Sequence, residues 1–101
     1  LQKKITPIAA ISVGKVNGKI VDDLDYEMDS NADVDLNLVM NSNYEMIEIQ
    51  GTGEKGTFST YELNEMIELG KNCIEKIFIE QEKVLKKLWQ IKFQKLVLGK
   101  Y

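Results

Sequence analysis

Asp22-Asp23-Leu24-Asp25-Tyr26-Glu27-Met28-Asp29-Ser30-Asn31-Ala32-Asp33-Val34-Asp35-Leu36-Asn37-Leu38-Val39-Met40 is an acidic turn that becomes an alternating strand. Seven carboxylates fall within the fourteen residues from Asp22 to Asp35. From Asp33 onward, Asp33, Asp35 and Asn37 point to one face, and Val34, Leu36, Leu38 and Met40 to the other. A chain seeking only solubility would scatter its acids. Clustered where a turn enters a half-buried strand, they need water, a cation or a shared proton to relieve their repulsion.

Upstream of this stretch, Ile8 to Gly14 is an apolar run of strand length, and Asn17-Gly18 is a strong hairpin signal because both residues tolerate positive φ. Lys19 to Leu24 reads as the return strand, Asn41-Ser42-Asn43 as a turn, and Tyr44 to Gln50 as a fourth strand with poor alternation. Gly51-Thr52-Gly53-Glu54-Lys55-Gly56 lacks the Lys-Ser or Lys-Thr of a Walker A loop. It reads as a flexible connection, or as a backbone cradle for an anion. Ser59 with Glu62 forms a capping box, and Phe58 is placed to staple onto Leu63. Leu63, Ile67, Gly70, Ile74, Ile77, Gln81, Val84, Leu88 and Ile91 then mark a long near-heptad helix whose core-facing part ends near Phe78. Beyond that the chain either folds back as a second helix or seeks a partner, and Trp89 reads as buried there rather than stacked on a base.

Composition narrows the function classes. The chain has 101 residues, enough for one domain with a modest core. Histidine is absent, which excludes His-based general base catalysis and His metal ligation by these residues. All 13 basic residues are lysines, so a guanidinium clamp on phosphate must come from elsewhere. Cys73 is the only cysteine, which excludes an intrachain disulfide and fits a reducing cytoplasm. No apolar run approaches the roughly 20 residues of a bilayer span, so no membrane role is expected. The net charge of −3 is uneven, with −8 over residues 1–70 and +5 over residues 81–101. An acidic body with a basic tail permits contact with nucleic acid, and a solvated lysine-rich helix face fits the same residues.

Ile11-Ser12-Val13-Gly14, Asn17-Gly18, Asp23-Leu24-Asp25-Tyr26, Asp29-Ser30, Val34-Asp35, Asn37, Val39-Met40, Glu48-Ile49-Gln50-Gly51-Thr52 and Phe58-Ser59 together resemble the second half of ribonuclease PH. That family comprises bacterial phosphate-dependent 3′→5′ exoribonucleases that trim tRNA precursors. The resemblance runs in register from about Ile5 to Ile77. It departs at Met28, where relatives carry Glu, and at Gly53, where they carry Ala.

The resemblance implies that Asp29 and Asp35 hold a divalent metal, Mg²⁺ or Mn²⁺, or act as acid and base beside the scissile phosphodiester. Inorganic phosphate would be the co-substrate, and a tRNA precursor or other RNA 3′ end the partner. It also implies a sister N-terminal half carrying an arginine- and threonine-bearing phosphate pocket, and assembly into a hexameric ring. Asp25 would cap the turn, Asp33 would be an outer or solvated acid, and Asn37 would orient a phosphate oxygen or a ligand water. The expected fold is α+β, a four-stranded, mainly antiparallel sheet with a long C-terminal helix on one face. Residues 1–80 would form the family-like domain and residues 81–101 a basic helical tail. The alternative is a non-catalytic RNA-binding or oligomerisation subunit of the same fold.

Overall fold

The computed structural model describes residues 6–23 and 32–98. Four strands, β1 (Ile8–Val16), β2 (Lys19–Asp22), β3 (Val34–Asn41) and β4 (Met46–Gly53), precede one helix, α1 (Thr60–Phe93). A π-helical turn, Gln94–Leu98, follows directly. The sheet order is β2-β1-β3-β4 and every pairing is antiparallel, which is the expected α+β architecture.

Local chemistry accounts for each element. Asn17 and Gly18 both have positive φ, 52° and 79°, so the β1–β2 hairpin turns with the hand that matches strand twist. On β3, Val34, Leu36, Leu38 and Met40 are buried while Asp35, Asn37 and Val39 are half-buried on the other face. Ala9, Ile11 and Val13 of β1 join them, and α1 closes the layer with Met66, Gly70, Cys73 and Ile74. Each fully buried Leu, Ile, Val or Met contributes roughly 1.5–3 kcal/mol relative to exposure. Gly70 is the point of closest helix–sheet approach, because a Cβ there would run into Leu38 Cδ1.

Ser59 caps α1 as expected. Its Oγ accepts from Glu62 N at 3.0 Å, and Glu62 Oε1 accepts from Ser59 N at 3.0 Å. Glu62 Oε2 also pairs with Lys15 Nζ at 2.6 Å, which ties the helix start to the end of β1. From there α1 runs over β1, β2 and β3 and makes no close approach to β4.

Three expectations shift. Strand β2 ends at Asp22, and β4 runs on to Gly53, through part of the glycine segment. Gly51 sits opposite Leu36, and a Cβ on it would lie 3.0 Å from Leu36 Cδ1 and 3.2 Å from Phe58 Cζ. Gly51 is an exposed strand residue whose missing side chain leaves the space that Leu36 and the Phe58 ring occupy. The buried face of α1 is also rotated from the expected stripe, with Met66 and Cys73 fully inside and Leu63 and Ile67 at its margin. The core-facing part ends at Phe78, and the helix continues to Phe93 without folding back. Trp89 is 67% exposed and takes no part in this core.

Candidate active site

The face of the sheet opposite α1 carries the polar residues. Strand alternation puts Asp35 and Asn37 there together, about 7 Å apart along β3. The register adds their lateral neighbours: Gly14 and Thr52 flank Asp35, and Ser12 and Gln50 flank Asn37. Ser12 Oγ donates to Asn37 Oδ1 at 2.7 Å. With its oxygen engaged by Ser12, the Asn37 amide has N–H donors left to offer, the polarity that suits a phosphate oxygen rather than a cation.

Asp35 is half-buried and forms no hydrogen bond or ion pair with another described residue. Gly14, its neighbour on β1, is buried, and Thr52 on the other side offers a hydroxyl. Among the described residues this is an oxygen donor set with one unpaired carboxylate, donor chemistry that suits a hard divalent cation such as Mg²⁺ or Mn²⁺. Among the described residues, no three His, Cys, Asp or Glu side chains converge as a metal-binding group. Asp29, the second expected ligand, lies outside the described residues, as does Asp25.

Both ends of the intervening acidic segment are pinned to β1. Asp23 N donates to Ser12 O at 3.0 Å, and Asp33 N donates to Lys15 O at 2.8 Å. A cleft of about 320 Å³ opens beside the first anchor, lined by Ala10, Ser12, Asp23, Asn37 and Val39 among others. It lies along the part of β1 that the short β2 leaves unpaired.

Asp33 has a backbone role. Its carbonyl accepts from Glu54 N at 3.0 Å and from Lys55 N at 3.1 Å. Those are the N–H groups that an anion cradle in the glycine segment would have used, so the segment is a closed turn folded onto Asp33. A Cβ on Gly53 would collide with the Gly56 carbonyl, so the alanine that relatives carry there would require this turn to shift.

Sequence reasoning did not find Ser12. Its signal exists only in combination, as a serine at an even position of β1 that falls opposite Asn37 once β1 and β3 pair.

Comparison with known proteins gives the family. Residues 6–73 match the 3′ exoribonuclease family, domain 2. The chain is 50% identical to ribonuclease PH of Exiguobacterium sibiricum over 82 residues, 81% of this chain and 33% of that relative. It is 53% identical to ribonuclease PH of Corynebacterium glutamicum over 72 residues, covering 70% and 29% respectively. Against ribonuclease PH of Corynebacterium efficiens the identity is 46% over 78 residues, covering 76% and 32%. The chain thus spans about a third of the length of these relatives.

Proposed function

The chain belongs to the 3′ exoribonuclease family through that family's domain 2, and from this premise we propose that it is the C-terminal half of a phosphate-dependent 3′→5′ exoribonuclease that trims tRNA 3′ ends. Phosphate would attack the terminal phosphodiester and release a nucleoside diphosphate, a nucleotidyl transfer to phosphate. The observation that supports the reading is the same-face pair on β3, Asp35 without a partner among the described residues and Asn37 with its amide oxygen held by Ser12.

Asp29 and Asp35 would hold Mg²⁺ or Mn²⁺, which supplies charge compensation for the phosphoryl oxygens as negative charge builds on them. Within this chain, Ser12 fixes the amide of Asn37, and Asn37 donates to a non-bridging oxygen. No arginine is present, so the phosphate co-substrate needs a pocket from an N-terminal half, and this chain alone is expected to be inactive. Assembly into a homo-oligomeric ring with that half, in the cytoplasm, completes the reading.

The test is phosphate-dependent release of nucleoside diphosphates from a tRNA with a 3′ extension. The chain is assayed alone and mixed with the remaining N-terminal portion of the Exiguobacterium sibiricum relative. Activity only in the mixture, lowered at least about 100-fold by Asp35→Asn, is the expected result. A folded mixture that releases no nucleoside diphosphate overturns it and leaves a non-catalytic RNA-binding subunit.

A further inference from the structure

The second half of α1 lies beyond the family match at residues 6–73, and its chemistry is unlike the first half's. Eight large apolar side chains between Ile79 and Leu96 are 46–73% exposed. A monomer rarely leaves so continuous an apolar surface in water. Along it, Glu82, Leu85, Trp89 and Lys92 follow strict 3-4-3 spacing, the seam of a paired helix. Leu85 and Trp89 are 64% and 67% exposed, among the most open positions of α1.

We propose that this seam pairs antiparallel with the same seam of a second copy of the chain. The charge order decides both the partner and the direction. In an antiparallel pair Glu82 meets Lys92 of the other copy, Leu85 meets Trp89, and the same two layers repeat in reverse across the two-fold axis. Leu88 lies near that axis, with Ile79 and Phe93 as flanks. A parallel pair would instead set Glu82 against Glu82 and Lys92 against Lys92. The present intrachain partner of Glu82 is Lys86 at 3.8 Å, with both side chains about 70% exposed, so that contact is weak and free to exchange. Lys83 and Lys87 lie on the opposite side of the helix and stay in water. Ile79, Leu85, Leu88, Trp89 and Phe93 would be covered in each copy, while Val84 and Ile91 lie further round the helix. The pairing is independent of the catalytic reading.

Trp89 is the only tryptophan, so its fluorescence reports the seam directly. Sedimentation velocity and Trp emission would be followed on the full chain across a concentration series. The expected result is a reversible dimer of the 11.5 kDa chain, with Trp89 emission moving to shorter wavelength as it forms. Glu82→Lys and Lys92→Glu should each raise the dissociation constant about tenfold or more. The double variant carrying both changes should recover most of that loss. These positions are exposed, so circular dichroism should show an unchanged fold.

A monomer at every concentration overturns the proposal. So does a dimer indifferent to both single changes, or a double variant no better than the singles. An emission shift that appears only on adding single-stranded RNA would assign Trp89 to base stacking and also overturn it.

Discussion

Both halves of α1 carry apolar residues at helical spacing, but the proximal half is acidic and packed on the sheet, whereas the distal half is basic with nothing beneath it among the described residues. From Leu63 to Phe78 the apolar side faces β1, β2 and β3, and Met66, Cys73 and Ile74 are 0–2% exposed. From Ile79 onward no described residue of the helix is buried. At about 1.5 Å per residue, the helix outruns the short strands it covers by several turns. Periodicity therefore announces a face that wants burial, and the length of the neighbouring element decides how much is granted. Removing one apolar side chain from each half challenges this contrast most severely. Ile74→Ala should cost about 3 kcal/mol, because Ile74 is fully buried in the core and its loss leaves a cavity under α1. Val84→Ala should change stability by less than about 0.5 kcal/mol in urea unfolding at concentrations where the chain is monomeric. Equal losses would mean that the distal half is packed on something within its own chain.

The next contrast concerns the helix ends. Ser59 closes the proximal end with a reciprocal pair of hydrogen bonds, whereas Gln94 continues in helical conformation into the π-helical turn. Ser59→Ala removes the acceptor for Glu62 N and should lower stability by about 1 kcal/mol. Gln94→Ala, with no cap to lose, should be neutral within a few tenths of that unit. Urea midpoints at constant slope would measure both.

The proximal half is also the more legible one. The capping box, the Asn17-Gly18 turn and the β3 alternation are local rules, each readable within a few residues, and together they define the first hairpin and the start of the helix. The same period of two is enough to place Asp35 and Asn37 on one face of β3. What stays hidden depends on contacts distant in sequence. Gly51 is a strand residue through its pairing with Leu36, and Phe58 packs where its side chain would be. The N–H groups of Glu54 and Lys55 are closed to an anion only because Asp33 takes them. Ser12 becomes part of the site only when β1 pairs with β3, across the intervening β2 and the acidic segment. Tyr44 adopts φ 62°, a conformation disfavoured for an aromatic residue. Asn41 organises that turn by accepting from the N–H groups of Asn43 and Glu45, and the Tyr44 ring lies edge-on to Phe78 at 6.3 Å with Lys71 above it. No local pattern encodes that.

The smallest expected effect separates two ion pairs of the same chemistry, one on each half of α1. Lys15–Glu62 joins β1 to the first turn, while Lys83–Glu80 sits three residues apart on the distal helix with side chains 68% and 70% exposed. The Lys15 side chain, and then the Ser59 N–H, hold the Glu62 carboxyl below its ordinary value of 4.5, against a smaller opposing effect of desolvation. A carboxyl whose folded value is lowered binds its proton more weakly in the folded chain than in the unfolded one. Its stabilising contribution is therefore complete above the ordinary value and is lost as pH falls through the lowered one. Urea midpoints between pH 7 and pH 3 should show Lys15→Met less stable than the parent at neutral pH, with the gap closing in acid. Lys83→Met should track the parent throughout, because an exposed pair three residues apart is screened by water and costs side-chain freedom to hold. A gap for Lys15→Met that persists undiminished at pH 3 would assign the lysine's role to its aliphatic stem packing against the helix start, and would remove the electrostatic distinction between the two halves.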